Sequence, residues 1–129
     1  MKIAVIIFRT LMGLLFISAS IVVLFNLVEA PPMTGPIKTF NEGLMASGYF
    51  MTLLKITELV CGIALVAGRF VPLALVILAP IIVNIFFVHT FLDRSGLPVA
   101  IFLVLVELFL AYAYRKSYAS LFVPKAAIN

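Results

Sequence analysis

Residues 71–92 read VPLALVILAPIIVNIFFVHTFL and contain no Asp, Glu, Lys or Arg. An uncharged apolar run of this length is long enough to cross the hydrocarbon core of a bilayer, which needs about 20 helical residues. Pro72 suits the first turn of such a helix. Pro80 cannot hydrogen-bond the carbonyl of Val76, so we expect a kink there, on the same face as Asn84.

The composition extends this interpretation to the whole chain. About 65% of the 129 residues are hydrophobic and 11% are charged, far from the average of soluble domains. Four spans of about 20 residues would account for nearly all of the roughly 84 hydrophobic side chains. This balance excludes a soluble enzyme and a disordered chain, and the single cysteine, Cys61, excludes a disulfide scaffold. Because Lys and Arg are spread along the chain, the net charge of +4 does not indicate nucleic-acid binding.

The sequence therefore predicts an all-α fold, a transmembrane four-helix bundle that forms a single membrane domain over residues 1–129. The predicted spans cover residues 3–28, 49–68, 71–92 and 97–114. We expect the first span to be retained, because it is longer than a signal-peptide core of about 7–15 residues and contains an arginine. Its best cleavage-like site, at residues 28–30, is followed by two prolines.

Besides the short turns at residues 69–70 and 93–96, two longer segments lie outside the spans, the loop 29–48 and the basic tail 115–129. Three prolines exclude a helix at the start of the loop, but the apolar spacing of residues 37–46 predicts a short helix lying on the membrane surface. Near the span ends, five Lys or Arg residues lie on the side of the termini and two on the side of the loop. The positive-inside rule then predicts that both termini are cytoplasmic.

Charged side chains inside the predicted spans share helix faces with small residues. At about 100° per residue, Lys55 and Glu58 fall on one face with Gly62, and Arg9 falls on one face with Gly13. Small residues beside a charge are typical of a face that packs on other helices rather than on lipid.

The four charges inside the spans, on Arg9, Lys55, Glu58 and Glu107, sum to zero. An unpaired charge at this depth costs about 2.5–3.5 kcal/mol or more, so we expect each carboxylate to have a cation within reach. Two interpretations stay open. The set is either a proton relay or polar pocket for a quinone, lipid or other small ligand, or an ion-pair network that fixes the packing of the helices.

His89 lies near the outer end of the third span, with Asp93 four residues later. This spacing lets a carboxylate orient an imidazole. His89 lies about 140° from Asn84 on the helix, so both point at the bundle centre only if Pro80 rotates the helix. A packing role and a proton-handling role stay open. One histidine and one cysteine on different helices cannot supply the ligands of a haem or zinc site, so no metal site is predicted.

Several short motifs follow one another in a characteristic order and spacing. They are Ser47-Gly48-Tyr49-Phe50 with Leu54-Lys55, the pattern Glu58-Leu59-x-x-Gly62-x-x-Leu65-x-x-Gly68-Arg69-Phe70-x-Pro72, the stretch Ala79-Pro80-Ile81-Ile82-Val83-Asn84-Ile85 before His89, and Glu107 before Tyr112. Together they resemble the DoxX family of small bacterial four-helix integral membrane proteins, over about residues 11–118.

This resemblance implies a four-helix bundle in a bacterial inner membrane. Some relatives are membrane subunits of quinone-linked sulfur-oxidising oxidoreductases or membrane partners in redox-stress complexes, whereas most have no established activity. The resemblance maps onto the polar residues that the helix faces select, namely Arg9, Lys55, Glu58, Asn84, His89 and Glu107. The lack of paired cysteines argues against a disulfide-exchanging role.

Three functional hypotheses follow. The first is a membrane subunit or accessory of a redox system, with a soluble oxidoreductase as partner and a quinone bound non-covalently by Lys55, Glu58, Asn84 and Glu107. The second is a small transporter or proton-coupled carrier, assembled as a homo-oligomer because one short chain encloses little cavity. The third is a membrane assembly partner without chemistry. No residue is singled out as catalytic, and whether the chain catalyses a reaction stays open.

Overall fold

A computed structural model describes residues 1–27, 32–125 and 127–128 of the chain. These residues form five α-helices, α1 (Lys2–Leu24), α2 (Pro36–Ala46), α3 (Phe50–Ala67), α4 (Val71–Phe91) and α5 (Leu97–Ala113). A 3-10 turn, Arg94–Gly96, precedes α5, and a 3-10 helix, Arg115–Phe122, follows it. The described residues contain no β-strand. Residues 28–31, which include the cleavage-like site and the start of the loop 29–48, lie outside the described residues.

The long helices α1, α3, α4 and α5 confirm the predicted all-α fold. Each is long and apolar enough to span a membrane, with α5 counted together with the 3-10 turn before it as Arg94–Ala113. The 18 residues of α3 extend about 27 Å. The helix α1 packs against α3 and α5, and α4 packs against the same two helices, which closes a four-membered ring. The short α2 contacts α3.

The two ends of this bundle differ in chemistry. We call the end that carries Lys2, Arg69 and Arg115 the basic end, and the end that carries α2 and the turn at Asp93 the α2 end. Between the ends, the outward surface is apolar, with exposed side chains such as Leu53 on every long helix. These faces are suited to contact with acyl chains.

The helices α1 and α3 approach most closely at Gly13 and Gly62. A Cβ built on Gly13 would lie 2.8 Å from the carbonyl oxygen of Gly62, and a Cβ on Gly62 would lie 2.8 Å from the carbonyl oxygen of Gly13. Both obstructing atoms belong to the backbone, so no side-chain rotation could make room. The small-residue faces expected on the first two spans therefore pack directly against each other.

The turns at the basic end are held by short-range contacts. The helix α3 ends at Gly68, whose φ of 74° is left-handed and whose N–H donates to the Ala64 carbonyl at 2.9 Å. Pro72 lies in the first turn of α4, as the sequence predicts. The hydroxyl of Tyr118 donates to the Pro72 carbonyl at 3.1 Å and so ties the segment after α5 to the start of α4.

We expect the substitution Gly62→Ala to lower stability by about 1–3 kcal/mol, because the added methyl group meets the backbone of α1. Thermal unfolding in detergent can be followed with a thiol-reactive fluorophore, since Cys61 is only 4% exposed in the fold. Gly43→Ala is the matched control, because a Cβ on Gly43 meets nothing within 4 Å. Equal melting temperatures for the two variants would contradict the close approach of α1 and α3.

We expect Tyr118→Phe to lower stability by about 1 kcal/mol, since it removes the hydrogen bond to the Pro72 carbonyl. Tyr112→Phe is the matched control, because the Tyr112 ring is exposed and its hydroxyl makes no hydrogen bond within the described residues.

The same pair of variants tests a pH dependence. Burial first, and then the nearby Glu107 and Tyr114, raise the pKa of Tyr118 from its ordinary 10 to about 12. A raised pKa of an acid means that its contribution is fully present below the unfolded pKa and is lost as the pH rises through the folded pKa. The melting temperature of the wild type should therefore fall more steeply between about pH 9 and about pH 12 than that of Tyr118→Phe. Parallel pH profiles would show that the Tyr118 hydroxyl is not buried against α4.

Candidate functional site

The structure brings four of the six predicted site residues together and separates the other two. Lys55, Glu58, Asn84 and His89 line one cavity of about 490 Å³ in the half of the bundle toward the α2 end, which we call the α2 cavity. Arg9 lines a second cavity at the basic end, and Glu107 lines a third beside α4. The six predicted site residues thus line three separate cavities rather than one.

The α2 cavity lies between α3 and α4 and is bordered by α2. The helix α3 contributes Lys55 and Glu58, and α4 contributes Asn84 and His89. Most of the remaining lining is apolar, including Pro80 at the centre of α4. A mainly apolar pocket with a few convergent polar groups is typical of small-molecule sites.

Lys55 and Glu58 form an ion pair at the wall of this cavity. The Lys55 Nζ lies 3.6 Å from the Glu58 Oε1, across one turn of α3. The Glu58 side chain is 4% exposed and the Lys55 side chain 17%. Removing either partner would leave a single unpaired charge inside the span. An ammonium group has three N–H donors, so Lys55 can pair with Glu58 and still donate a hydrogen bond to a ligand.

His89 is held by the turn that follows α4. Its Nδ1 lies 3.1 Å from the backbone carbonyl oxygen of Asp93, and because a carbonyl only accepts, Nδ1 donates this hydrogen bond. The Nε2 atom is then the nitrogen left for a ligand. A Cβ on Gly96 would overlap the imidazole, so the ring is packed against the turn.

The partner of His89 differs from the expected carboxylate. The Asp93 carboxylate instead accepts hydrogen bonds from the Ser95 hydroxyl at 2.6 Å and the Ser95 N–H at 3.1 Å. These two hydrogen bonds lower the pKa of Asp93. The carboxylate therefore caps the 3-10 turn, and only the Asp93 backbone orients the imidazole.

Asn84 and His89 share the α2 cavity despite their separation on the helical wheel. The cavity lies on the side of α4 beside α3 and α2, not on the bundle axis, so the two side chains can reach it from different turns of α4. Asn84 is exposed and lines this cavity. A shared site for these two residues therefore does not require a position at the bundle centre.

The contribution of α2 to this cavity was missed from the sequence. Phe40, Asn41 and Leu44 of α2 line the α2 cavity. The pattern that could have revealed it is the spacing of Phe40 and Leu44, which gives α2 an apolar face only a few residues before Phe50 and α3. The predicted interfacial helix is thus also a wall of the candidate site.

Glu107 lies apart from every cation expected to pair with it. Its Oε1 is buried and has no hydrogen-bond partner among the described residues. It shares its cavity with Arg115 and Tyr118, near the basic end. Within the part of the chain that the structure describes, the ion pairs are Lys38–Glu42 and Lys55–Glu58, so the expectation of a cation beside each carboxylate does not hold for Glu107.

Arg9 is also remote from both carboxylates. Its guanidinium lies against Gly68, with Nη1 3.0 Å from the position that a Cβ of that residue would take, and Nη1 donates to the Tyr114 hydroxyl at 3.4 Å. Gly68 follows the last turn of α3, where unpaired carbonyl groups favour a cation. The arginine is therefore accommodated by a helix end rather than by a carboxylate.

Four apolar helices with charged side chains buried inside them define a multi-pass integral membrane protein. The family model DoxX matches residues 4–90, more than half of the chain, so the chain belongs to the DoxX family, as the motifs predict. The match includes Arg9, Lys55, Glu58, Asn84 and His89, whereas Glu107 lies beyond it. No curated protein and no solved structure matches the chain.

A double-mutant cycle tests the ion pair in the α2 cavity. We expect Lys55→Gln and Glu58→Gln each to lower stability by about 3–5 kcal/mol, because each leaves one charge unpaired inside the span. The double variant should recover most of this loss. Thermal unfolding, followed by the reaction of Cys61 with a thiol-reactive fluorophore, measures the stability of the two single variants and of the double variant.

The control cycle uses Lys38 and Glu42, an ion pair of 3.8 Å on the exposed surface of α2. Its coupling should be about 0.5 kcal/mol or less. If the Lys55/Glu58 cycle shows a coupling as small as that of the surface pair, the two charges do not depend on each other in the fold.

Proposed function

We propose that this protein is a membrane subunit or accessory of a quinone-linked redox system, and that the α2 cavity receives the head of the quinone. The observation that carries this proposal is the gathering of Lys55, Asn84 and His89 in a mainly apolar cavity within a membrane-spanning bundle. Charged and polar residues inside spans are costly, and they mark ligand or proton sites in many membrane proteins.

The chemistry of the cavity fits a quinone head. Quinone carbonyl oxygens only accept hydrogen bonds, and both the Lys55 ammonium and the Asn84 amide can donate them. The ring and its apolar tail would lie against the apolar lining, which includes Phe40, Leu44 and Phe50. A volume of about 490 Å³ lies within the usual range of small-molecule sites.

In this proposal the chain binds and orients the quinone but does not supply the electrons. Reduction of a quinone to a quinol takes two electrons and two protons, and we assign the electrons to a soluble oxidoreductase partner. Glu58 and the Nε2 atom of His89 are the groups of the cavity that could pass protons.

We place the protein in a bacterial inner membrane with both termini cytoplasmic. The excess of Lys and Arg at the basic end supports this orientation. The α2 cavity would then lie in the outer half of the bilayer.

Binding of a short-chain, fully substituted ubiquinone to the purified protein tests the proposal. The protein would be incubated with the quinone in mild detergent, passed through a desalting column, and analysed for retained quinone by mass spectrometry over a range of concentrations. We expect saturable binding to the wild type, and about tenfold weaker binding to Asn84→Ala, which removes one hydrogen bond without leaving a charge unpaired.

Two variants sharpen this test. Glu107→Gln should bind the quinone as the wild type does, because Glu107 lines another cavity. Lys38→Gln should also bind normally, because it removes a cation from α2 outside the cavity lining. The site is refuted if quinone binding is not saturable, or if Asn84→Ala and the wild type bind equally. A protein that binds no quinone but co-purifies with another polypeptide would favour the role of an assembly partner without chemistry.

A further inference from the structure

The cavity at the basic end has a composition unlike that of the α2 cavity. It has a volume of about 530 Å³ and lies where α1 begins and α5 ends. Four of its lining residues are basic, namely Lys2, Arg9, Arg115 and Lys116. None of the described residues that line it is acidic. We call it the basic cavity.

Among the described residues, the four cations of the basic cavity have no carboxylate partner within ion-pair distance. Within residues 1–27 and 32–125, the two ion pairs involve Lys38 and Lys55, not these residues. The Nε atom of Arg9 is buried and has no hydrogen-bond partner among the described residues. Arg115 donates to the Tyr112 carbonyl and lies 4.3 Å from the centre of the Tyr112 ring. It also borders the cavity of Glu107, but the two side chains form no ion pair. The cavity therefore concentrates positive charge beside free hydrogen-bond donors.

The residues that carry the cations lie at two depths. Lys2 begins α1 and Lys116 follows α5, so both lie where the spans meet the membrane surface. The Cα atom of Arg9 lies seven residues further along α1, about 10 Å deeper, but its guanidinium extends to Gly68 at the basic end. A ligand that fills this space needs an anionic group at the surface of the bilayer.

The surroundings of the basic cavity are apolar toward the bilayer. Val5, Ile6 and Ala113 line it beside the cations, and Ile3 and Ile7 are exposed on the adjoining surface of α1. A soluble anion would make no use of these faces, whereas the acyl chains of a lipid would lie along them.

We propose that the basic cavity binds the phosphate headgroup of an anionic phospholipid, with the acyl chains against the outer faces of α1 and α5. Basic pockets between membrane-spanning helices have the chemistry that anionic headgroups require. A zwitterionic phosphatidylcholine head would bring a quaternary ammonium group to four cations. The site therefore favours phosphatidylglycerol over phosphatidylcholine with the same chains.

Native mass spectrometry of the full chain tests this site. The protein in mild detergent is mixed with dioleoyl phosphatidylglycerol, with dioleoyl phosphatidylcholine or with inorganic phosphate, and the bound fraction is measured over a range of concentrations. We expect saturable binding of phosphatidylglycerol, about tenfold weaker binding of phosphatidylcholine, and weaker binding of phosphatidylglycerol at higher salt. Binding of inorganic phosphate at least as strong as that of phosphatidylglycerol would overturn the lipid assignment.

Two matched double variants separate a defined site from general attraction to a basic surface. Lys2→Gln/Lys116→Gln removes two cations of the cavity, both exposed, so the fold should survive. Arg69→Gln/Lys125→Gln removes two exposed cations that do not line the cavity. We expect the first pair to weaken phosphatidylglycerol binding about tenfold and the second to leave it nearly unchanged.

Unfolding monitored through Cys61 confirms that both double variants are folded before binding is compared. Equal losses in the two variants, or no loss in the first, would refute the basic cavity as the site. Neither outcome bears on quinone binding, because no described residue lines both the basic cavity and the α2 cavity.

Discussion

The backbone contact between Gly13 of α1 and Gly62 of α3 is the constraint on which the arrangement of the polar residues depends. Because neither position carries a Cβ, the two helices meet carbonyl against Cα and their register is fixed. Arg9 lies one turn from Gly13 toward the basic end, and Glu58 lies one turn from Gly62 toward the α2 end. The crossing therefore places the backbones of these two residues about 12 Å apart along the bundle axis. The Arg9 guanidinium lies still further toward the basic end, against Gly68, and forms no ion pair with Glu58.

This separation explains why each buried charge is stabilised differently. Glu58 has a partner on its own helix, Lys55, because the cation of α1 is out of reach. The Arg9 guanidinium, which extends from α1, lies at the C-terminus of α3 and beside the Tyr114 hydroxyl. Glu107, on α5, is left without an ion-pair partner among the described residues. A net charge of zero inside the spans thus does not imply a single neutral cluster.

The same arrangement gives the bundle two polar cavities with different chemistry. The α2 cavity contains an ion pair, an amide and an imidazole, and suits a neutral ligand that accepts hydrogen bonds. The basic cavity contains four cations and suits an anion. Because the cavities lie toward opposite ends of the bundle, a ligand in one leaves the other open. The proposed quinone and the proposed phospholipid would then occupy opposite halves of the bilayer.

The sequence by itself determined the four spans, the short helix α2, the small-residue faces and the family, because these depend on apolar length, helical periodicity and local motifs. Lys55 and Glu58 could also be paired from sequence, since one helical turn brings them together. Only the tertiary structure decided that Glu107 and Arg9 lie outside the α2 cavity and that α2 borders it. Only the tertiary structure also decided that the Asp93 backbone carbonyl, rather than its carboxylate, holds His89. These features depend on the axial register of helices far apart in the chain, and helical periodicity gives the face of a residue but not its depth relative to another helix.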